Sequence, residues 1–188
     1  MPRFLRRILA LVLLAGCNNP FGLGPASSAN RVDTLVLYSV AGTALTQPSA
    51  YLLSTKSPIR LGIDPTQTFD FLYLLEPGKQ PAFLPLAAVV PNSRTTGNPG
   101  FLLATQPFDS IAVAQQTGYL TTDTVRVAVG QVYYVRSLVS SSSCFLGLPL
   151  YGKLEVLSLD RVLRSVTFRI LVDNNCGYRG MEVGLPQK

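Results

Sequence analysis

The sequence contains no histidine and no tryptophan among its 188 residues. Without histidine the chain lacks the usual general base near neutral pH, the serine and cysteine triads built on it, and most catalytic zinc sites. GxSxG, GxxxxGK(S/T) and GxGxxG motifs are also missing, which removes the common hydrolase, phosphate-binding and dinucleotide-binding signatures. These absences favour a non-enzymatic protein, and we expect no catalytic residues, no cofactor and no metal site.

Carboxylates are few and scattered singly along the chain. The ten acids are Asp33, Asp64, Asp70, Glu76, Asp109, Asp123, Glu155, Asp160, Asp173 and Glu182. A glycosidase needs only two carboxylates about 5 to 10 Å apart, and strands distant in sequence could supply them. An envelope hydrolase that acts on glycans with paired carboxylates is therefore the alternative function, although the sequence selects no pair.

The start of the chain carries an export signal. Three arginines, at positions 3, 6 and 7, precede an apolar run over 8–15, which is under half the ~20 residues that a membrane-spanning helix needs. The run ends in Leu14-Ala15-Gly16-Cys17, which resembles the lipobox of bacterial lipoproteins. The resemblance implies that signal residues 1–16 are removed and that Cys17 is lipidated, with acyl chains such as palmitate as a stable anchor. Asn18, where inner-membrane lipoproteins have Asp, implies attachment to the outer membrane. A plain secretory signal is the alternative.

The rest of the chain divides into a tether and one domain. Residues 17–30 contain the lipidated Cys17 followed by a segment rich in Gly, Pro, Ser and Asn, which predicts a flexible tether. Residues 31–188 are long enough for a single domain. Removing the three signal arginines leaves 13 basic residues against 10 acidic ones. With no run of adjacent basic residues after the signal, we expect no nucleic-acid partner.

Short apolar segments separated by Pro, Gly, Asn and Ser predict an all-β domain, because no long segment holds a helical period. The predicted strands are 32–40, 49–54, 59–63, 69–76, 87–90, 101–105, 110–115, 125–129 and 132–138, with Gly130 as a turn or a bulge. This pattern favours an antiparallel β-sandwich, and a small β-barrel is the alternative.

The clearest hairpin lies near the end of the chain. Residues 153–159 and 164–172 alternate in polarity about a turn at 160–163, and a bulge is expected because the apolar positions of the first strand change face. In this pairing Tyr151 meets Val172, which brings Cys144 and Cys176 to the same edge. An even pair of cysteines in an exported protein indicates a disulfide. We therefore predict a Cys144–Cys176 bond.

Three further segments have a structural and a functional interpretation. Asp173-Asn174-Asn175 could offer oxygen ligands to calcium, but without the spacing of a calcium loop a turn is favoured. Ser140–Ser143 could be a polar contact loop, and a solvated connection before Cys144 is favoured. Tyr133 and Tyr134 point to opposite faces of a strand, so at most one could stack on a sugar, and packing in the core is favoured.

Two segments of the domain, 129–136 and 173–180, loosely resemble uncharacterised bacterial lipoproteins, a resemblance that implies no activity. The sequence thus predicts a lipid-anchored protein of the outer membrane. Its folded part is expected to be a non-enzymatic binding or structural module, whose partner would be an envelope glycan or another envelope protein.

Overall fold

A computed structural model describes residues 23–64, 68–91 and 97–186. The described chain is almost entirely β-structure. Its ten strands are β1 Val32–Tyr38, β2 Ala50–Leu52, β3 Ser57–Ile59, β4 Phe71–Leu74, β5 Ala82–Pro85, β6 Gly100–Leu103, β7 Val125–Arg126, β8 Val132–Arg136, β9 Tyr151–Asp160 and β10 Ser165–Asp173. One four-residue helix, α1 Leu86–Val89, follows β5, and a 3-10 helix spans Phe108–Ser110.

The strands form two antiparallel sheets of five. The first sheet has the order β1-β10-β9-β8-β6, and the second has the order β3-β2-β4-β5-β7. Each sheet ends in two edge strands within the described part of the chain, so neither closes on itself. The prediction of a β-sandwich is confirmed, and the barrel alternative is not what forms.

The main core lies between the two sheets. Alternate residues of the facing strands point inward, as the period of two in their apolar residues requires. At its centre Phe83 stacks on Phe101 with ring centroids 5.3 Å apart, and Phe71 and Phe168 contact this pair edge-on. All four rings are buried. This aromatic cluster joins one sheet to the other.

Both sheets are also covered on their outer faces. On the first sheet, Val132, Tyr134 and Leu171 pack under a long connection that contributes Phe108 and Ile111. On the second sheet, a smaller apolar cluster forms around Leu72 and Phe69. The mixed polarity of 69–76 indicates cover on both faces, and the burial of Phe71, Leu72 and Tyr73 confirms it.

The predicted hairpin is present, with a bulge. Thr167 pairs with Ser158 and Phe168 pairs with Val156, so Leu157 is the extra residue. The register differs from the prediction by one position, since Tyr151 pairs with Asp173 and Val172 pairs with Gly152. This shift leaves the cysteine prediction intact: Cys144 and Cys176 form a disulfide with their Cα atoms 5.0 Å apart.

Several predicted strands are wrong. Residues 87–90 belong to α1 and its end, where Val90 donates to the carbonyl of Leu86. Of 110–115, only Val113 makes a strand-like bridge, because this segment is held by apolar packing on the first sheet. Residues 60–64 form a turn closed by the Arg60–Asp64 ion pair, and β3 ends at Ile59.

Strand β5 was not predicted from the sequence, because Pro81 directly precedes this strand and Pro85 is its last residue. Gly130 lies in a turn with φ of +81°.

The segment that precedes β1 is attached to the domain. Asn175 accepts hydrogen bonds from the backbone N–H groups of Ser27 and Ser28, at 2.8 and 2.9 Å. The Tyr178 hydroxyl donates to the carbonyl of Gly24 at 2.6 Å. Residues 23–30, predicted as part of the tether, therefore lie along the domain. The predicted lipidation site, Cys17, and the signal lie outside the described residues.

Candidate functional site

Asp70 is an acid that the fold buries between the two sheets. It is 1% exposed and sits immediately before β4 in the second sheet. One carboxylate oxygen accepts, at 2.7 Å, the N–H of Leu53, which directly follows β2 of the same sheet. The other accepts the N–H of Leu138, which follows β8 in the first sheet. A single side chain thus links the two sheets.

Burial dominates the electrostatics of Asp70. Removal from water raises its pKa to about 6, against the opposing effect of the hydrogen bonds from Leu138 and Leu53. Burial disfavours the charged form of a carboxyl group, whereas hydrogen bonds to its oxygens favour it. Asp70 is therefore a carboxylate that gains a proton in mildly acidic conditions.

A cavity of about 400 Å³ opens over Asp70. Of its ten lining residues, seven carry hydroxyl groups, two are leucines and one is Asp70. They are Leu52, Ser54, Thr55, Thr68, Asp70, Ser137, Leu138, Ser140, Ser142 and Ser143. Each hydroxyl group can donate one hydrogen bond and accept others. A cavity with this lining suits a ligand that is itself rich in hydroxyl groups. We call it the hydroxyl cavity.

The segment Ser140–Ser143 contributes three of the residues that line this cavity. Cys144 and Ser143 both donate backbone N–H groups to the carbonyl of Ser140, which makes 140–144 a turn. The hydroxyls of Ser140 and Ser142 lie 2.7 Å apart. The segment positions Cys144 for its disulfide, as favoured, and it also supplies part of the cavity wall. The structural interpretation is confirmed, and a role in polar contacts stays a prediction.

Asp173, Asn174 and Asn175 form the turn that ends β10, which confirms the favoured interpretation. Asp173 accepts from both the backbone N–H and the side-chain amide of Asn175, at 2.8 and 2.7 Å. Asn174 donates to the carbonyl of Ser54, at 3.4 Å. Burial raises the pKa of Asp173. The turn fixes the end of β10 and connects it to one wall of the hydroxyl cavity.

The two neighbouring tyrosines pack on opposite faces of β8. Tyr133 belongs to the core between the sheets, and Tyr134 belongs to the cluster on the outer face of the first sheet. Both are buried. Neither ring is presented for stacking on a sugar, in agreement with the favoured interpretation.

An apolar groove of about 520 Å³ lies beside the disulfide. It runs between the segment that precedes β1 and two loops that follow β8 and β10. Its apolar side chains include Leu23, Pro25, Phe145, Leu146 and Tyr178. Asn174 lines this groove and bonds Ser54 of the hydroxyl cavity, so both concavities lie at one end of the sandwich.

The acids of the described chain are not gathered in the hydroxyl cavity. Among the described residues that line the hydroxyl cavity, Asp70 is the only carboxylate. Asp109 and Glu155 converge on Arg169 through ion pairs. Asp109 and Glu182 both line a third cavity of about 230 Å³ beside the buried Lys153, but both are exposed.

Lys153 is a buried charge that the sequence did not single out. It is 4% exposed, and its ammonium group donates to the carbonyls of Phe108 and Ile111, at 2.8 and 3.0 Å. Burial lowers its pKa. The side chain thus anchors the 3-10 helix to the first sheet.

Comparison with protein-family models, with curated proteins and with solved structures gives no match. Within the described ranges, none of the helices is long and apolar enough to cross a membrane. Across the same residues, no group of three or more Cys, Asp or Glu side chains is placed to hold a metal ion.

Proposed function

We propose that this protein is a lipid-anchored outer-membrane module that binds an envelope glycan without transforming it. The hydroxyl cavity carries this proposal. Sugars present closely spaced hydroxyl groups, and a wall of Ser and Thr side chains offers matching donors and acceptors. Asp70 adds one charged acceptor, whose hydrogen bonds with ligand hydroxyls are stronger than those between neutral groups.

The lipid anchor is supported by the lipobox resemblance at Cys17, and the binding role is supported by the surroundings of Asp70. This carboxylate already accepts two backbone hydrogen bonds, and its cavity brings no second described carboxylate beside it. An envelope hydrolase with paired carboxylates remains the alternative function. Such an enzyme needs one carboxyl group as acid and another as base or nucleophile.

Co-sedimentation with the insoluble glycan fraction of the cell envelope tests this proposal. Ser142 lies exposed at the rim, and Ser142→Tyr places a large ring there. We expect this variant to bind at least tenfold more weakly than the wild type. Ser158→Tyr, an exposed serine on β9, is the matched control and should bind normally.

The same incubation separates the two functions through the sugar released into solution. Binding without release supports the module. If the wild type releases sugar and the Asp70→Asn variant does not, the hydrolase is supported. Failure of the wild type to sediment with the glycan fraction contradicts glycan binding.

A further inference from the structure

Three apolar side chains project from the loop that follows the disulfide. Phe145 is 82% exposed, Leu146 is 46% exposed and Leu148 is 42% exposed. Cys144 fixes the start of this loop through its bond to Cys176, and Gly147 donates its N–H to the carbonyl of Cys144. A contiguous cluster of exposed apolar groups on a folded domain marks an interaction surface. We call these three residues the apolar tip.

The apolar tip adjoins the start of the described chain. Three leucine side chains meet at Gly177. A Cβ atom built on this glycine would lie 2.5 Å from a Cδ atom of Leu23, 3.4 Å from one of Leu146 and 3.5 Å from one of Leu148. Leu23 also lines the apolar groove together with Phe145 and Leu146. The N-terminal segment and the tip therefore form one continuous apolar surface.

The tip is free of charge. Residues 137–150 contain no Asp, Glu, Lys or Arg, and neither do residues 174–178. Apolar surface enters lipid favourably, whereas a charged side chain resists transfer from water. The apolar tip can thus approach a lipid surface without removing a charge of its own from water.

Chain length places this surface near the anchor. Leu23 lies six positions after Cys17, and six residues span at most about 20 Å when fully extended. If Cys17 carries the lipid, the tip lies within that distance of the bilayer. The lipid surface is therefore the apolar partner that the tip meets first.

We propose that Phe145, Leu146 and Leu148 insert into the bilayer interface and hold the domain to the membrane at the apolar tip. The inference rests on the proposed lipid anchor at Cys17 and adds an orientation to it. Another exposed apolar pair, Val162 and Leu163, lies in the β9–β10 turn, which also contains two arginines. The ten residues of β9 place that turn about 30 Å from the membrane-facing end.

The lack of tryptophan makes a direct test simple, because one introduced Trp is the only indole in the chain. Phe145→Trp and Val162→Trp, each at a highly exposed position, give matched reporters at opposite ends. The mature, lipidated protein is reconstituted in phosphatidylcholine vesicles with or without bromine on the acyl chains. Bromine quenches indoles that reach the acyl region.

We expect brominated lipid to reduce the emission of the Phe145→Trp variant at least twofold, with a shift to shorter wavelength. Emission of the Val162→Trp variant should be unchanged. Raising the salt from 0.1 to 1 M should not weaken the quenching, because the contact is apolar and exposed charge interactions are the ones that salt screens. Equal quenching in both variants, or none in Phe145→Trp, overturns the orientation.

Mass spectrometry of the same preparation separates this proposal from the proposed lipid anchor at Cys17, on which it rests. A lipidated Cys17 with an unquenched indole in Phe145→Trp overturns the tip and leaves the anchor in place. A mature protein without lipid overturns the anchor and the tip together. An intact Cys144–Cys176 bond in the non-reduced digest shows that each Trp variant is folded.

Discussion

The carboxylate of Asp70 accepts the backbone N–H of Leu138, 68 residues further along the chain. The acceptor belongs to the second sheet and the donor follows the last residue of β8 in the first. Elsewhere the sheets meet mainly through apolar side chains, whose contacts have little directional preference. This hydrogen bond fixes one sheet relative to the other beneath the hydroxyl cavity.

The raised pKa of Asp70 makes the stability of the fold depend on pH. In the folded protein the pKa is about 6, against 3.8 for the free group. Between these values the folded state holds a proton that the unfolded state releases. The free energy of unfolding should therefore fall by about 2 kcal/mol as the pH rises from 4 to 6, and this contribution levels off above about pH 7. The raised pKa of Asp173 acts in the same direction.

Urea unfolding of Asp70→Asn at pH 4, 5, 6 and 7 measures this contribution. The amide can accept one of the two N–H groups but turns a donor towards the other, so at pH 4 we expect a loss of about 1 to 3 kcal/mol. The fall in stability between pH 4 and 6 should be much shallower than in the wild type. Asp123→Asn, at an exposed position, is the control. An unchanged pH dependence in Asp70→Asn would show that another group causes it.

The terminal hairpin was predictable because its information is local. Alternation in 164–172, the change of face near Leu157 and two nearby cysteines predict its two strands, its bulge and its disulfide, with the register off by one position. The hydroxyl cavity was not predictable, because the fold assembles it from three distant segments, around Ser54, Asp70 and Ser140. The one available signal was the acid at position 70 in an otherwise apolar stretch.

Local patterns also failed where tertiary packing determines the structure. The segment 110–115 alternates like a strand, but Ile111 and Ala114 bury their side chains on the outer face of the first sheet without forming a ladder. In 87–90, the short helix buries Ala87 alone. Alternation indicates that one side is buried, and it does not show whether a neighbouring strand is available for pairing.

Removing the disulfide should destabilise the fold without changing its topology. The bond closes a loop between cysteines 32 positions apart, which corresponds to about 3 to 4 kcal/mol in the chain-entropy model. Cys144→Ser combined with Cys176→Ser should lose that amount in urea unfolding, and reductant should lower the wild type to the same level. Reductant should leave the double variant unaffected. Two free thiols in correctly exported wild-type protein would contradict the bond.

Lipidation at Cys17 is tested by fractionation of cells that express the full chain. Cys17→Ala removes the thiol that would accept the diacylglyceryl group, so we expect the protein in the soluble fraction or with its signal uncleaved. The wild type should sediment with outer membranes and carry a mass increase on its N-terminal peptide. Membrane attachment with normal processing in Cys17→Ala would mean that the lipobox interpretation is wrong.

Gly152 tests how tightly the first sheet is packed near the end that carries the disulfide. It lies on β9 opposite Val135 and Val172. A Cβ atom at this position would lie 2.7 Å from the backbone oxygen of Leu171 and 3.0 Å from a methyl group of Val135. Because the oxygen belongs to a central strand of the sheet, a rotamer change cannot relieve the contact. We expect Gly152→Ala to cost about 1 to 3 kcal/mol through overpacking.

Thermal unfolding gives the readout for this variant, with Gly24→Ala as the control. A domain of this size loses about 2 to 4 °C in Tm for each kcal/mol, so Gly152→Ala should melt several degrees below the wild type. A Cβ atom added at Gly24 would meet no atom within 4 Å, so this control should melt within about 2 °C of the wild type. Because Gly152 lies next to Tyr151, where the hairpin opens towards the disulfide, equal melting temperatures would mean that this end of the sheet yields to an added methyl group.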